Sequence, residues 1–207
     1  MKNINLFKDL ASFTDTSAHP KHLVEQYINI EDGYAYATDG ISAVKLATEL
    51  PDLSINPYTL KPMPKDLEYP DVNGRVFDQK FNGDVLTNID VASLYTAVYQ
   101  ANKAPKTTNK LLHLVSDKNA VALYQVETLN PVATDMDTPA WKAAELDNIN
   151  IYFDGRLPIK ALKLFKSLDI DHVNMFISGP YKPIELKPVA ENDPDVAVVF
   201  CPTRVKA

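Results

Sequence analysis

Tyr27-Ile28-Asn29-Ile30-Glu31-Asp32-Gly33-Tyr34-Ala35-Tyr36-Ala37-Thr38-Asp39-Gly40 is the stretch that decides how the front of this chain folds. Asp32-Gly33 supplies the positive φ angles of a tight hairpin turn, so the apolar runs on either side read as paired antiparallel strands. A second Asp-Gly pair, Asp39-Gly40, precedes Ile41 to Leu46, which predicts a third strand. Upstream, Leu6, Leu10 and Phe13 recur at i, i+4 and i+7 with Phe7 beside them, and this single apolar stripe predicts a helix. Thr14 to His22 is polar, contains Pro20 and ends it. Downstream, Pro51, Pro57, Pro62, Pro64 and Pro70 break up a stretch without sustained period. It reads as a linker or a surface clasp, with a domain boundary near residue 82.

The helix-then-strands order then starts again. Thr87 or Asn88 can cap a helix over 90–101 whose apolar stripe is Val91, Leu94, Tyr95 and Val98. Leu111 to Val115 and Ala120 to Val126 flank the turn Ser116-Asp117-Lys118-Asn119, and Asn130 to Asn148 reads as a loop pinned by Trp141. In a third cycle Ile149, Ile151 and Phe153 alternate as in a strand. Pro158 falls in the first turn of a helix, where it is tolerated, and Leu162, Phe165 and Leu168 face the core. Val173, Met175 and Ile177 alternate, Ser178-Gly179-Pro180 turns, Ile184 and Leu186 alternate again, and Val196 to Phe200 is a last apolar strand. The chain is therefore expected to be α+β, built of repeated helix-plus-antiparallel-strands units with the helices on one face of the sheet. The expected domains are 1–82, partial and with the Pro-rich linker, and 83–207, complete.

Composition bounds the function. A net charge of −6 over 207 residues argues against wholesale wrapping by nucleic acid, though local basic surfaces remain open. No apolar run is long enough to span a bilayer, and the N-terminus lacks a secretion signal, so no membrane partner and a cytoplasmic location are expected. Cys201 is the only cysteine, which excludes an internal disulfide, and it reads as a buried structural thiol. His19, His22, His113 and His172 form no metal pattern in sequence and read as solvated surface groups. Six scattered glycines build neither phosphate loop nor dinucleotide fingerprint, and there is no nucleophile elbow. Glu191, Asp193 and Asp195 around Pro194 read as a solvated turn. No cofactor, no metal and no catalytic residue are expected: the chain reads as a binding protein, not an enzyme.

Three stretches in order carry a resemblance. Tyr36-Ala37-Thr38-Asp39-Gly40 with its following strand, Tyr69-Pro70-Asp71-Val72-Asn73-Gly74-Arg75-Val76, and Val198-Val199-Phe200-Cys201-Pro202-Thr203-Arg204-Val205 together resemble the beta-type sliding clamp of bacterial DNA polymerase III. The resemblance covers most of residues 4–50 and 69–205: part of the clamp's middle domain and the whole of its last. A DNA-clamp-like fold is what it implies. The clamp's first domain and the second half of its middle domain have no counterpart here, and Ile41-Ser42 stand where the signature continues with His-Arg.

The resemblance implies a replication accessory factor that gives a polymerase processivity. Its partners would be the polymerase or other clamp-binding peptides and double-stranded DNA, held through the backbone without base readout. Carried over position by position, the partner-peptide pocket would be lined by Thr38, Gly40, Ala43, Pro70, Arg75, Val76, Cys201, Pro202, Thr203 and Arg204. The helix bearing Lys160, Lys163 and Lys166 at i, i+3 and i+6, with Lys103 on the earlier helix, would face DNA; the same lysines equally suit any solvated helix face. A homo-oligomer is expected if a ring closes, and a non-ring adaptor or decoy that binds replication proteins is the alternative.

Overall fold

The structure, a computed structural model, describes residues 6–17, 19–79, 83–103, 110–117, 120–126, 141–143 and 149–204. Its contacts divide the chain into two compact units. The first holds Met1–Lys80 with Ala190–Val199, the second Phe81–Val189 with Phe200–Ala207.

In the first unit, α1 (Leu6–Leu10) runs into a 3-10 turn, Ala11–Phe13. The predicted stripe holds: Leu10 and Phe13 are fully buried. Burial of each contributes about 1.5–3 kcal/mol. Two further 3-10 turns, Pro20–His22 and Val24–Gln26, lead into β1 (Ile28–Glu31), β2 (Tyr34–Thr38) and β3 (Ser42–Ala47). Asp32 and Gly33 have φ of 52° and 79°, the pair of positive angles that a two-residue hairpin turn requires. The register Ile30↔Ala35↔Leu46 and Asn29↔Tyr36↔Lys45 sorts the side chains by face. Ile28, Ile30, Ala35, Ala37, Val44 and Leu46 are buried on the face whose β2 and β3 contact the Ala11–Phe13 turn. Tyr34, Tyr36, Ala43 and Lys45 share the other face.

The Pro-rich stretch is more ordered than a linker. Leu53–Ile55 forms β4, antiparallel to β1. Asn56 Oδ1 accepts from the amides of Tyr58 and Thr59 at 3.0 Å, and the Tyr58 hydroxyl donates to Ala11 O at 2.9 Å. A three-residue strand is too short to show a period, and Pro62 lies opposite Ile55 with the backbone bonds on either side of it made by Lys61 O and Met63 N, so its missing N–H costs nothing. The strand order is β4-β1-β2-β3-β12, where β12 is Val196–Phe200 and its Val196–Val199 belong to this unit.

The second unit repeats one motif. Strand β5 (Asp84–Asp90), α2 (Val91–Lys103), β6 (Leu111–Asp117), β7 (Ala120–Gln125) and β8 (Trp141–Ala143) form one copy. Strand β9 (Asn150–Asp154), α3 (Arg156–Ser167), β10 (His172–Ile177) and β11 (Ile184–Pro188) begin a second. The copies exchange their first strands: β5 pairs with β10, and β9 pairs with β6. The result is two antiparallel sheets, β8-β7-β6-β9 and β11-β10-β5, with α2 and α3 packed on each other. Val91, Leu94, Ala97, Val98 and Ala101 of α2 are buried, as are Ala161, Leu162, Leu164 and Phe165 of α3.

Two expectations are corrected here. Thr87 and Asn88 do not cap α2; they lie in β5, and the Asp90 carboxylate accepts from Ser93 N at 2.5 Å at the start of the helix. Strand β5 escapes the alternation rule because it is bulged. Leu86 opposes Met175 and Ile89 opposes Val173, three residues against two, with Asn88 at φ 55° absorbing the extra residue. Within the segment expected to be a loop, Trp141–Ala143 is a strand paired with β7. Residues 127–140 and 144–148, the turn residues Lys118 and Asn119, and Val205 lie outside the described residues. Among the described residues no helix is long and apolar enough to cross a membrane.

The bulge makes a prediction. Asn tolerates the left-handed region and Gly occupies it freely, whereas a β-branched residue does not. Asn88→Gly is expected to leave the urea midpoint nearly unchanged, and Asn88→Val to lower stability by about 1–2 kcal/mol. Equal midpoints for the two variants would show that Asn88 is not held at positive φ.

Candidate protein-docking site

Strands β2 and β3 are joined by a turn whose own side chains fix it. Asp39 Oδ1 accepts from Ile41 N at 3.1 Å, Ser42 N at 2.7 Å and Ser42 Oγ at 2.9 Å. Thr38 Oγ1 accepts from Gly40 N at 3.1 Å and donates to Ser42 O at 2.9 Å. Gly40 has φ 80°, which excludes most side chains. Ser42 is buried by this network, while Ile41 stands out at the tip, 55% exposed. An exposed isoleucine on a rigid turn is poorly placed for folding and well placed for contact.

Beside the turn, Ala43, Tyr36 and Val72 are buried together, with Tyr34, Tyr69, Val76 and Phe77 packed against them. The segment that supplies Val72 and Val76 is held by short bonds: Val72 N donates to Pro70 O at 2.7 Å, and Gly74 N donates to Asp71 Oδ1 at 2.8 Å. A single π-helical turn, Asn73–Phe77, follows. Tyr36 lies 6.3 Å from Tyr34 and 6.4 Å from Phe77, ring centre to ring centre. Burial, helped by the nearby Tyr34 and Glu31, pushes the Tyr36 phenol up to about 12. Lys45 Nζ sits 4.2 Å from the centre of the Tyr34 ring and donates to Asn73 Oδ1 at 3.0 Å. A cavity of about 290 Å³ is lined by Tyr34, Tyr36, Lys45, Tyr69, Pro70 and Val72, among others. Asn29, Glu31, Asp32, Asp71 and Asn73 complete the lining, so the cavity is predominantly polar, with three tyrosine rings among charged and amide groups.

Of the residues assigned to the pocket from sequence, Ala43 and Val76 share this apolar cluster, and Thr38 and Gly40 belong to the adjoining turn. Pro70 lines the cavity, and Arg75 is exposed on the π-helical turn. Cys201, Pro202, Thr203 and Arg204 belong to the second unit. There Thr203 N donates to Tyr152 O at 2.6 Å, and the Arg204 guanidinium lies 5.8 Å from the Tyr181 ring centre. The Cys201 thiol is half-buried rather than buried, and is in no disulfide. The residues missed from sequence are Tyr34, Tyr69 and Lys45. The alternation Tyr34-Ala35-Tyr36-Ala37 was the available signal, since it puts two aromatic rings on one face and two alanines on the other.

The lysines divide. Lys163 and Lys166 are exposed on α3 and Lys103 at the end of α2, while Lys160 is half-buried. Lys166 Nζ sits 4.4 Å from the Tyr95 ring centre and Lys103 Nζ 4.5 Å from that of Tyr99. The two rings stack at 5.6 Å. Tyr95, expected on the apolar stripe, is half-buried in this surface ladder instead.

Two histidines also depart from expectation. His113 is buried, stacked on Tyr152 at 4.1 Å, with Nε2 2.9 Å from Asn150 Oδ1. His22 lies 2.6 Å from Glu25 and 3.8 Å from Asp15, an acidic neighbourhood that the sequence reading overlooked. In the turn around Pro194, Glu191 and Asp195 are exposed as expected while Asp193 and Pro194 are half-buried, and Asp195 accepts from the Tyr34 hydroxyl at 2.8 Å.

No family model and no curated protein matches this sequence. Solved structures do. The DNA polymerase sliding clamp of Bacillus subtilis superimposes with a TM-score of 0.67 at 14% identity, covering 98% of this chain and 62% of that one. The beta sliding clamp of C. crescentus gives 0.70 at 15% identity over 96% of this chain and 62% of the clamp. The Bartonella birtlesii clamp, solved bound to griselimycin, gives 0.65 at 15% identity over 97% and 64%. The chain therefore has the sliding-clamp fold, and spans less than two thirds of the length of the clamps it matches.

Burial holds the His113 imidazole below its ordinary pKa, against the opposing hydrogen bond to Asn150. The folded chain thus resists a proton that the unfolded chain accepts near pH 6.5. Stability is full above that pH and falls as pH drops through it, because only the unfolded state gains the proton. The urea midpoint is expected to fall between about pH 7 and pH 5, and His113→Phe to flatten that part of the profile. An unchanged profile in the variant would assign the acid sensitivity elsewhere.

Proposed function

We propose that this protein is a clamp-like accessory factor of DNA replication that works by binding, docking a short peptide of a polymerase or another replication protein. The observation that carries this reading is the sliding-clamp fold, matched over almost the whole chain. The docking surface is the Thr38–Ser42 turn with Ala43, Pro70, Arg75 and Val76. A turn locked by five hydrogen bonds, an exposed isoleucine at its tip and an apolar cluster at its side form a preorganised surface. Such a surface loses little entropy when a peptide binds. Ile41 takes the place of a polar residue in the clamp signature, so the favoured peptide is more apolar at that contact.

DNA would be held through phosphates, by Lys163, Lys166 and Lys103. These contacts are few, and Ser93, Thr96 and Gln100 on the exposed side of α2 add no charge. The sparse positive charge and the net −6 favour a second reading, an adaptor that binds replication proteins without encircling DNA. Retention on closed circular DNA that is lost on linearising the circle supports the ring; equal release from both supports the adaptor. Light scattering supplies the companion test, since an encircling ring needs an oligomer.

Fluorescence anisotropy with a labelled polymerase-derived clamp-binding peptide tests docking itself. Saturable binding is expected. Val76→Asp should weaken it by at least about tenfold, as expected for charge placed in an apolar anchor site. A Val76→Asp protein that keeps its circular dichroism and binds as tightly as the parent would remove this surface from the function.

A further inference from the structure

Between α1 and β1 the chain makes only short 3-10 turns, yet three side chains capable of holding a metal converge there. One ligand atom each from Asp15, His22 and Glu25 lies within 4.8 Å of the others. His22 Nδ1 is 2.6 Å from Glu25 Oε2 and 3.8 Å from Asp15 Oδ2. The two carboxylate side chains are largely covered, while the His22 side chain is 43% exposed. The cluster adjoins the docking surface, with Glu25 over Gly40, but none of its three residues belongs to that surface or is used by the proposed function.

The backbone prepares this arrangement. Asp15 N donates to Glu25 O at 2.9 Å, closing the loop at its base and setting the two acidic residues side by side. Ser17 then aims the Asp15 carboxylate, its amide 2.6 Å from Oδ1 and its hydroxyl 2.9 Å from Oδ2. Gln26 Nε2 closes the loop again on Ser17 O at 2.7 Å. The Glu25 carboxylate occupies the space over Gly40, where an added Cβ would stand 3.5 Å from both its oxygens. His19 adds a fourth donor nearby, its ring centre 5.7 Å from that of His22.

We propose that Asp15, His22 and Glu25 bind a zinc ion. The 2.6 Å His22–Glu25 contact is a hydrogen bond, and Ser17 holds the Asp15 carboxylate 3.8 Å from the same nitrogen, so all three groups already face one point. A divalent cation held by all three groups would offset the repulsion between the two carboxylates. With bonds of about 2.0–2.2 Å, a tetrahedral ion holds its ligand atoms roughly 3.3–3.6 Å apart. The two His22 contacts, 2.6 and 3.8 Å, bracket that range, and all three ligand atoms lie within 4.8 Å of one another. One imidazole nitrogen among two carboxylates suits zinc, whereas magnesium favours an octahedron of oxygens that keeps its waters. Water or His19 completes the coordination. The bound ion would fasten the 15–26 connection to the β2–β3 turn it packs against, and stabilise the fold by mass action.

Zinc chloride titrated into chelator-treated protein by calorimetry tests this, with a thermal scan and a magnesium chloride control. Uptake of one ion per chain is expected, with a rise in Tm that magnesium does not reproduce. His22→Gln and Asp15→Asn should each weaken uptake by at least about tenfold, and Cys201→Ser should leave it unchanged. On the unaltered protein, zinc should move the His22 ring resonances and leave those of His113 in place. No saturable uptake below about 100 μM, uptake undiminished in the double variant, or unmoved His22 resonances would each overturn the proposal.

Discussion

Everything in the second unit depends on a reciprocal exchange of strands. In each copy of the motif the strand before the helix finds no partner among its own copy's strands. Among the described residues β5 is paired only by β10, and β9 only by β6. An unpaired strand leaves a row of backbone donors and acceptors unsatisfied, so neither copy is complete without the other. The same exchange brings α2 and α3 together, because each helix is tied at its start to a strand that lies in the other copy's sheet. Burial of Leu94, Val98, Leu162 and Phe165 then follows from topology as much as from helix propensity. This closed pairing, repeated, gives the clamp domain its form and leaves the outer helix faces open.

The first unit solves a different problem, how to make a small sheet two-faced. Alternation places Ile28, Ile30, Val44 and Leu46 on one side, where Leu10 and Phe13 complete a dry core. On the other side, Tyr34, Tyr36 and Lys45 meet the segment from Tyr69 to Phe77. That side is amphipathic: tyrosine rings stand among hydroxyls, an ammonium and carboxylates. The Asp39 carboxylate anchors the adjoining turn with its own backbone, which leaves Ile41 no core to enter. A surface of this kind is stable without a partner and still gains from one.

Much of this was legible in the residues. Asp32-Gly33 announced the hairpin because only a few residue types accept two successive positive φ angles, and the stripes of α1 and α3 were readable from 3.6-residue spacing. Strand β5 was not, since a bulge at Asn88 puts Leu86 and Ile89 on one side at a spacing no strand template contains. Strand β4 was hidden by its brevity and its neighbouring prolines. Burial of His113 could not be inferred either: its ring is carried inside by the strand pairing that sets it against Tyr152. The Asp15, His22 and Glu25 convergence depends on a loop closed by one backbone bond, which sequence spacing does not encode. For the docking surface, the turn and the cluster residues Ala43 and Val76 were readable through the clamp signature, while the tyrosine floor emerged only from the register.

The account's central claim is that a short replication-protein peptide docks beside the β2–β3 turn. Amide chemical-shift mapping during titration with such a peptide tests it most directly. The account predicts perturbations concentrated at Thr38–Ala43, Val72 and Val76, with the outer faces of α2 and α3 quiet. Shifts centred on those helix faces, or none at saturating peptide, would contradict it.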